Sequence, residues 1–169
     1  MSKNTVIFDL DGTLADITLR RTLAIDSTDG KMDWDEFFNP DNIKLDKPIP
    51  AIVDLIRTYD DKGYNVFIFS GRNDRSWDET VSWLWDNKIP YDLLVMRPDK
   101  FKNKSFPISK NNPATPDMRF MPDEILKKKM LDAFVDINDV FLVVDDRDKV
   151  VKMWRDLGLN TFQVAPGDF

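Results

Sequence analysis

Short apolar runs that each stop at a polar group limit what this chain can fold into. Thr5–Phe8, Asn65–Phe69, residues 92–96 and Val140–Val144 read as strands, and helix-like periodic segments separate them. Such alternation predicts an α/β fold, a mainly parallel sheet flanked by helices. The first run is followed by Asp9, the second by Ser70 and the fourth by Asp145 and Asp146. In open parallel sheets ligands bind beyond the carboxyl ends of the strands. Elements far apart in sequence therefore deliver an acid, a hydroxyl and two acids to one edge.

Between these runs the helix signals are local. Pro48 and Pro50 open a helix with Ile49, Ile52, Val53 and Ile56 on one face and Gly63 as its stop. Ser76 with Glu79 reads as a capping box, ahead of a stripe of Trp77, Val81, Leu84 and Trp85. Helices are expected over 122–134 and 148–157, with Gly158 ending the latter and Thr161–Val164 a last short strand. Residues 15–47 are mixed and acidic, and their Trp34, Phe37 and Phe38 suggest a cap packed over the domain. Residues 97–121, rich in Pro, Asn and Lys, are too long for a simple connection and read as a lid or insertion. The five Trp are expected in the core. With no internal repeat, 1–169 reads as a single domain.

Composition narrows the chemistry. There is no cysteine and no histidine, which excludes thiolate nucleophiles, disulfides and imidazole bases. Carboxylates, hydroxyls, Lys, Arg and a hard cation remain. Asp9-Leu10-Asp11-Gly12-Thr13 sets two carboxylates at a strand end, and Gly12 permits the chain to turn there. Like charges so close raise each other's pKa, and a divalent cation such as Mg²⁺, suited to oxygen ligands, resolves the conflict. Capping of a turn is the plainer alternative. A net charge of −6 argues against coating nucleic acid by bulk electrostatics. Yet Arg97–Lys129 carries nine Lys and Arg against four acids, so one face is expected to meet an anionic substrate. Phe101 and Phe106 in that segment could stack on bases or anchor the lid. The first residues lack a secretory pattern and no stretch is long enough to span a membrane, so a cytoplasmic protein is expected.

Asp9, Asp11, Gly12 and Thr13, then Ser70, a later Lys and the Asp145-Asp146 pair, resemble the haloacid dehalogenase (HAD) superfamily of phosphotransferases, with its Rossmann-like fold. A narrower resemblance is to the 3′-phosphatase domain of phage-type polynucleotide kinase-phosphatase. Arg20, Ser70-Gly71-Arg72, Asp123 with Lys127, Asp145-Asp146-Arg147 and the tail Met153-Trp154, Gln163-Val164-Ala165, Gly167-Asp168-Phe169 carry it. Residues 98–116 are longer than that family's loop, and no GxxxxGK[ST] occurs, so the kinase half is not expected here.

The resemblance implies roles. Asp9 is the nucleophile that forms an aspartyl phosphate, and Asp11 is its acid–base partner. Ser70 and Lys127 complete the catalytic set by holding phosphoryl oxygens. Asp9, Asp145, Asp146 and the Asp11 carbonyl hold Mg²⁺. Thr13, Arg20, Gly71, Arg72 and Asp123 lie against substrate, although surface salt bridging for the arginines and a helix ion pair for Asp123 and Lys127 are open alternatives. The implied reaction is removal of 3′-phosphates from DNA or RNA ends, with hydrolysis of nucleoside monophosphates or other small phosphoesters as the alternative and a non-catalytic binding protein as the third. No obligate protein partner is evident from the sequence.

Overall fold

The computed structural model describes residues 3–26, 28–99 and 116–169. Five parallel strands form the central sheet: β1 (Thr5–Phe8), β4 (Asn65–Asn73), β5 (Leu93–Arg97), β6 (Val140–Asp145) and β7 (Thr161–Gln163), in the order β5-β4-β1-β6-β7. The strands read as continuous apolar runs because both faces are covered. Val6, Phe8, Ile68 and Val144 pack beneath α4 (Pro50–Asp61) and α5 (Trp77–Asp86). Ile7, Phe69 and Val143 face α6 (Asp123–Phe134) and α7 (Asp148–Asp156) on the other side.

From β1 the chain runs outward through β4 to β5, then returns across β1 to β6. The loops leaving β1 and β6 therefore diverge to opposite faces, and the crevice between them is where such sheets bind ligands. Asp9, Asp145 and Asp146 sit there.

The β4–β5 ladder breaks after Phe69 and resumes at Asn73 opposite Arg97. Ser70, Gly71 and Arg72 occupy the break, an irregularity that turns them towards the strand ends. Residues between β1 and α4 form an insertion of three short helices, α1 (Thr18–Ala24), α2 (Trp34–Phe37) and α3 (Pro40–Ile43). A two-residue antiparallel ladder of β2 (Ala15–Asp16) with β3 (Lys47–Pro48) closes its base.

Two local expectations are corrected. The Ser76 capping box does not form: the Ser76 hydroxyl donates back to the Asn73 carbonyl at 2.8 Å, and the Asn73 side chain caps a 3-10 turn over Asp74–Ser76. Trp85 is 82 % exposed, while Trp83, two residues earlier, is buried and donates its indole N–H to the Asp46 carbonyl at 2.8 Å. The basic segment's Lys100, Lys102, Lys104 and Lys110, with Phe101 and Phe106, lie outside the described residues.

Candidate active site

Asp9 leaves the end of β1 with its N–H bonded to the Val144 carbonyl at 2.9 Å, which sets its carboxylate beside the end of β6. Asp9, Asp145 and Asp146 are all buried, and each offers an oxygen within 4.8 Å of the others. From α6, the buried Lys127 ammonium donates to Asp9 Oδ1 at 2.6 Å and Asp145 Oδ2 at 2.8 Å. Burial, with the Asp145 and Asp146 charges adding and Lys127 opposing, pushes the Asp9 carboxyl well above its usual range. Burial and Asp145 likewise push Asp146 up to about 6. Lys127 is raised as well, for the opposite electrostatic reason. Burial alone would lower it, but Asp145 and Asp9 hold it above an ordinary lysine.

With all three carboxyls ionised, three carboxylates and one ammonium leave two negative charges in a covered site. A divalent cation with oxygen ligands fits that donor set in charge and in ligand type. Gly12, with φ +83°, lies so close to the Asp146 carboxylate that a Cβ would collide with it.

Asp11 belongs to a second cluster. Its carboxylate accepts from Arg20 at 2.6 Å and from Arg72 at close range. Both guanidiniums also bond to Asp46, Arg20 at 3.0 and 2.9 Å and Arg72 at 3.1 Å. Burial would raise the Asp11 carboxyl, but the two arginines outweigh it and hold it well below the carboxylate range. Burial raises Asp46, against the pull of the same arginines.

Two residues expected against substrate lie beneath these clusters. Arg20 is fully buried, its guanidinium bonded to Asp46, Asp11 and the Phe37 carbonyl. Thr13 is also fully buried and donates to Asp9 Oδ2 at 2.9 Å, orienting that carboxylate from behind. Arg72 and Gly71 do line the cavity, whereas the Ser70 hydroxyl is covered and accepts the Arg72 N–H at 3.1 Å, shaping the turn.

Asp123 lines the cavity too, yet its oxygens are occupied by Arg97 and, at 2.6 Å, Arg147. It holds those two cations in place, and its charge also helps raise Lys127. Gly71 makes room for it, since a Cβ there would meet Asp123 Oδ1 at 2.7 Å. Arg97 also donates to the Gly71 carbonyl at 2.8 Å, so strand, turn and helix are cross-linked. Asp46 and Arg97 were not legible as site residues. Asp46 sits in a polar stretch, and only its tertiary partners distinguish it.

The clusters open on one cavity of about 680 Å³ between the strand ends and the insertion. Its described lining holds seven Lys and Arg and six Asp side chains, and a divalent cation would make it distinctly positive within a chain of net charge −6. No helix among the described residues is long and apolar enough to cross a membrane.

The fold is that of HAD-type hydrolases. A haloacid dehalogenase-like family protein from Streptococcus pneumoniae superimposes with a TM-score of 0.62 at 13 % identity, over 95 % of this chain and 83 % of that one. A predicted phosphatase from Clostridium acetobutylicum gives 0.66 at 14 % identity, over 96 % and 85 %, so the likeness to both is one of fold. The chain belongs to the polynucleotide kinase PNKP phosphatase domain family, whose model matches residues 3–169. A chain of the Pnkp1/Rnl/Hen1 complex is 29 % identical with a TM-score of 0.73. That match covers 99 % of this chain and 48 % of the other, so this chain spans about half the length of that relative. It is an HAD-type phosphatase domain.

Proposed function

We propose that this domain hydrolyses phosphomonoesters through a phosphorylated Asp9 with Mg²⁺, and that its substrates are 3′-phosphates at DNA or RNA ends. The observation that carries the reading is the Asp9 carboxylate, held from both sides by Lys127 and Thr13 at the floor of a cationic cavity. Family membership supports a nucleic acid end as substrate. A second chain, 28 % identical, comes from what is described as the Pnkp1/Rnl/Hen1 RNA repair complex, which favours RNA ends and assembly with other repair proteins.

Asp9, Asp145, Asp146 and the Asp11 carbonyl would hold the cation. When bound, it supplies charge that offsets repulsion between carboxylate and phosphate. Asp9 attacks phosphorus, the P–O bond to the sugar breaks, and one difficult step becomes two easier ones. Lys127 and the turn at Ser70-Gly71-Arg72 receive the phosphoryl oxygens where negative charge gathers. Asp11, kept ionised by Arg20 and Arg72, is poised to take the proton of the water that cleaves the Asp9 phosphate. Protonating the leaving oxygen in the first step asks more of it, because the arginines resist its protonation. A phosphate in the cavity competes for Arg72 and loosens that hold.

The test is phosphate release with Mg²⁺ and with EDTA. Substrates are a 3′-phosphorylated oligonucleotide, its 5′-phosphorylated counterpart, and free 3′- and 5′-mononucleotides. Strong, Mg²⁺-dependent preference for the first is expected. Preference for mononucleotides would keep the chemistry and overturn the end-healing role.

A further inference from the structure

Trp34 was expected to pack over the domain, yet 61 % of it stays exposed, on the wall of the catalytic cavity. The ring nonetheless has aromatic neighbours. It lies nearly parallel to Phe38, with centroids 6.1 Å apart and planes at 21°, and meets Phe37 edge-on at 5.7 Å. Phe37 is buried, with the Arg20 guanidinium 4.4 Å from its ring centre. Asp33 caps the turn by accepting from the N–H groups of Asp35 and Glu36. Asp35 bonds Arg75 at 3.1 Å, just beyond the Ser70-Gly71-Arg72 turn. The indole thus sits on a turn linked through Phe37 and Arg20 to Asp11 and through an exposed ion pair to Arg75, with aromatic rings beside it.

An indole left open in a cavity forgoes the burial that tryptophan normally takes. A flat π-surface suits a planar ligand, and the cavity's arginines select one that carries negative charge. We propose that Trp34 is the stacking platform for the nucleobase attached to the phosphate being removed. This rests on the reading of the domain as a phosphatase of nucleic acid ends or nucleotides. Stacking tolerates any base, because every base has a π-face. Trp34 therefore demands a base without reading its identity, and an oligonucleotide end and a free mononucleotide offer the same ring.

The experiment is a cycle in which enzyme and substrate each lose one partner. The kcat/KM values are measured for a 3′-phosphorylated oligonucleotide, the same oligomer with an abasic 3′ residue, and a 3′-mononucleotide. Wild type is compared with Trp34→Ala and Trp34→Phe. Removing the base should cost wild type about tenfold or more, mainly in KM, and Trp34→Ala less than about threefold, with Trp34→Phe recovering most of the difference. Trp34→Leu, apolar but without a π-face, gives the same reading if the alanine variant folds poorly. A parallel loss on the mononucleotide assigns the contact to nucleotides in general, and a loss confined to the oligomer assigns it to strand ends. A Trp34→Ala enzyme that keeps the wild-type base dependence overturns the stacking role alone, as does a wild type indifferent to the base. A wild type that hydrolyses glycerol phosphate but none of these substrates overturns the functional reading, and the stacking role with it.

Discussion

Asp146→Asn probes the charge balance at the strand ends directly. The Asp146 carboxyl titrates at about 6 when folded, against an ordinary 3.8, because burial and Asp145 disfavour its charge. Below 3.8 it is protonated in folded and unfolded chains alike, and stability is unaffected. As pH rises towards 6 the unfolded chain ionises first, and the folded protein loses stability until both are charged. A shift of roughly two units at about 1.4 kcal/mol per unit makes the full penalty ~3 kcal/mol. Asparagine keeps the shape and removes the charge. With EDTA at about pH 7 the variant should be more stable than wild type by up to ~3 kcal/mol, on the order of 6–12 °C in Tm for a chain of this size. At about pH 3 the two should coincide. Added Mg²⁺ should raise the Tm of wild type more than that of the variant, by mass action on the intact site. Thermal unfolding followed by circular dichroism, across pH and with or without Mg²⁺, reads all of this. An asparagine variant no more stable than wild type at neutral pH in EDTA would refute the argument that Asp146 is charge held against its own solvation.

Other perturbations separate the remaining parts. Asp9→Asn should cut phosphate release by about a thousandfold or more with the circular dichroism spectrum unchanged; turnover within tenfold of wild type would remove Asp9 as nucleophile. Lys127→Met strands buried carboxylates, so urea denaturation at neutral pH should show a loss of ~3–5 kcal/mol that shrinks in acid as those carboxylates protonate. A loss that does not vary with pH would point to packing instead. Gly71→Ala places a methyl 2.7 Å from Asp123 Oδ1. It should displace the holder of Arg97 and Arg147, costing ~1–3 kcal/mol of stability and lowering kcat/KM; unchanged values for both would show that the close approach is dispensable.

The strand ends were legible because burial on both faces forces apolar runs, and each run stops where the chain reaches solvent and ligand. That logic located Asp9, Ser70, Asp145 and Asp146, and the α4 and α7 boundaries followed from Pro50 and Gly158. It failed where tertiary partners decide. Trp83 and Trp85 are two residues apart, and the Asp46 carbonyl selects which indole is buried. The burial of Arg20 by the carboxylates of Asp46 and Asp11 was likewise not readable from its place in the sequence. In the insertion, α1, α2 and α3 run to only seven, four and four residues. Elements so short carry almost no periodic signal, and the open indole of Trp34 could not be told from a packed one.

The ladder of β2 with β3 brings the two ends of the insertion side by side, like the cut ends of a cassette. Such an arrangement invites exchange of recognition surfaces between related enzymes, since the sheet beneath would keep its strand order. Here the cassette is not autonomous. It contributes Arg20 and Asp46 to the ion cluster around Asp11, while the core, among the described residues, contributes Arg72. A transplant between Asp16 and Lys47 would therefore change the proton affinity of Asp11 together with the surface offered to substrate. On the proposed mechanism, selectivity and proton handling would then diversify in step.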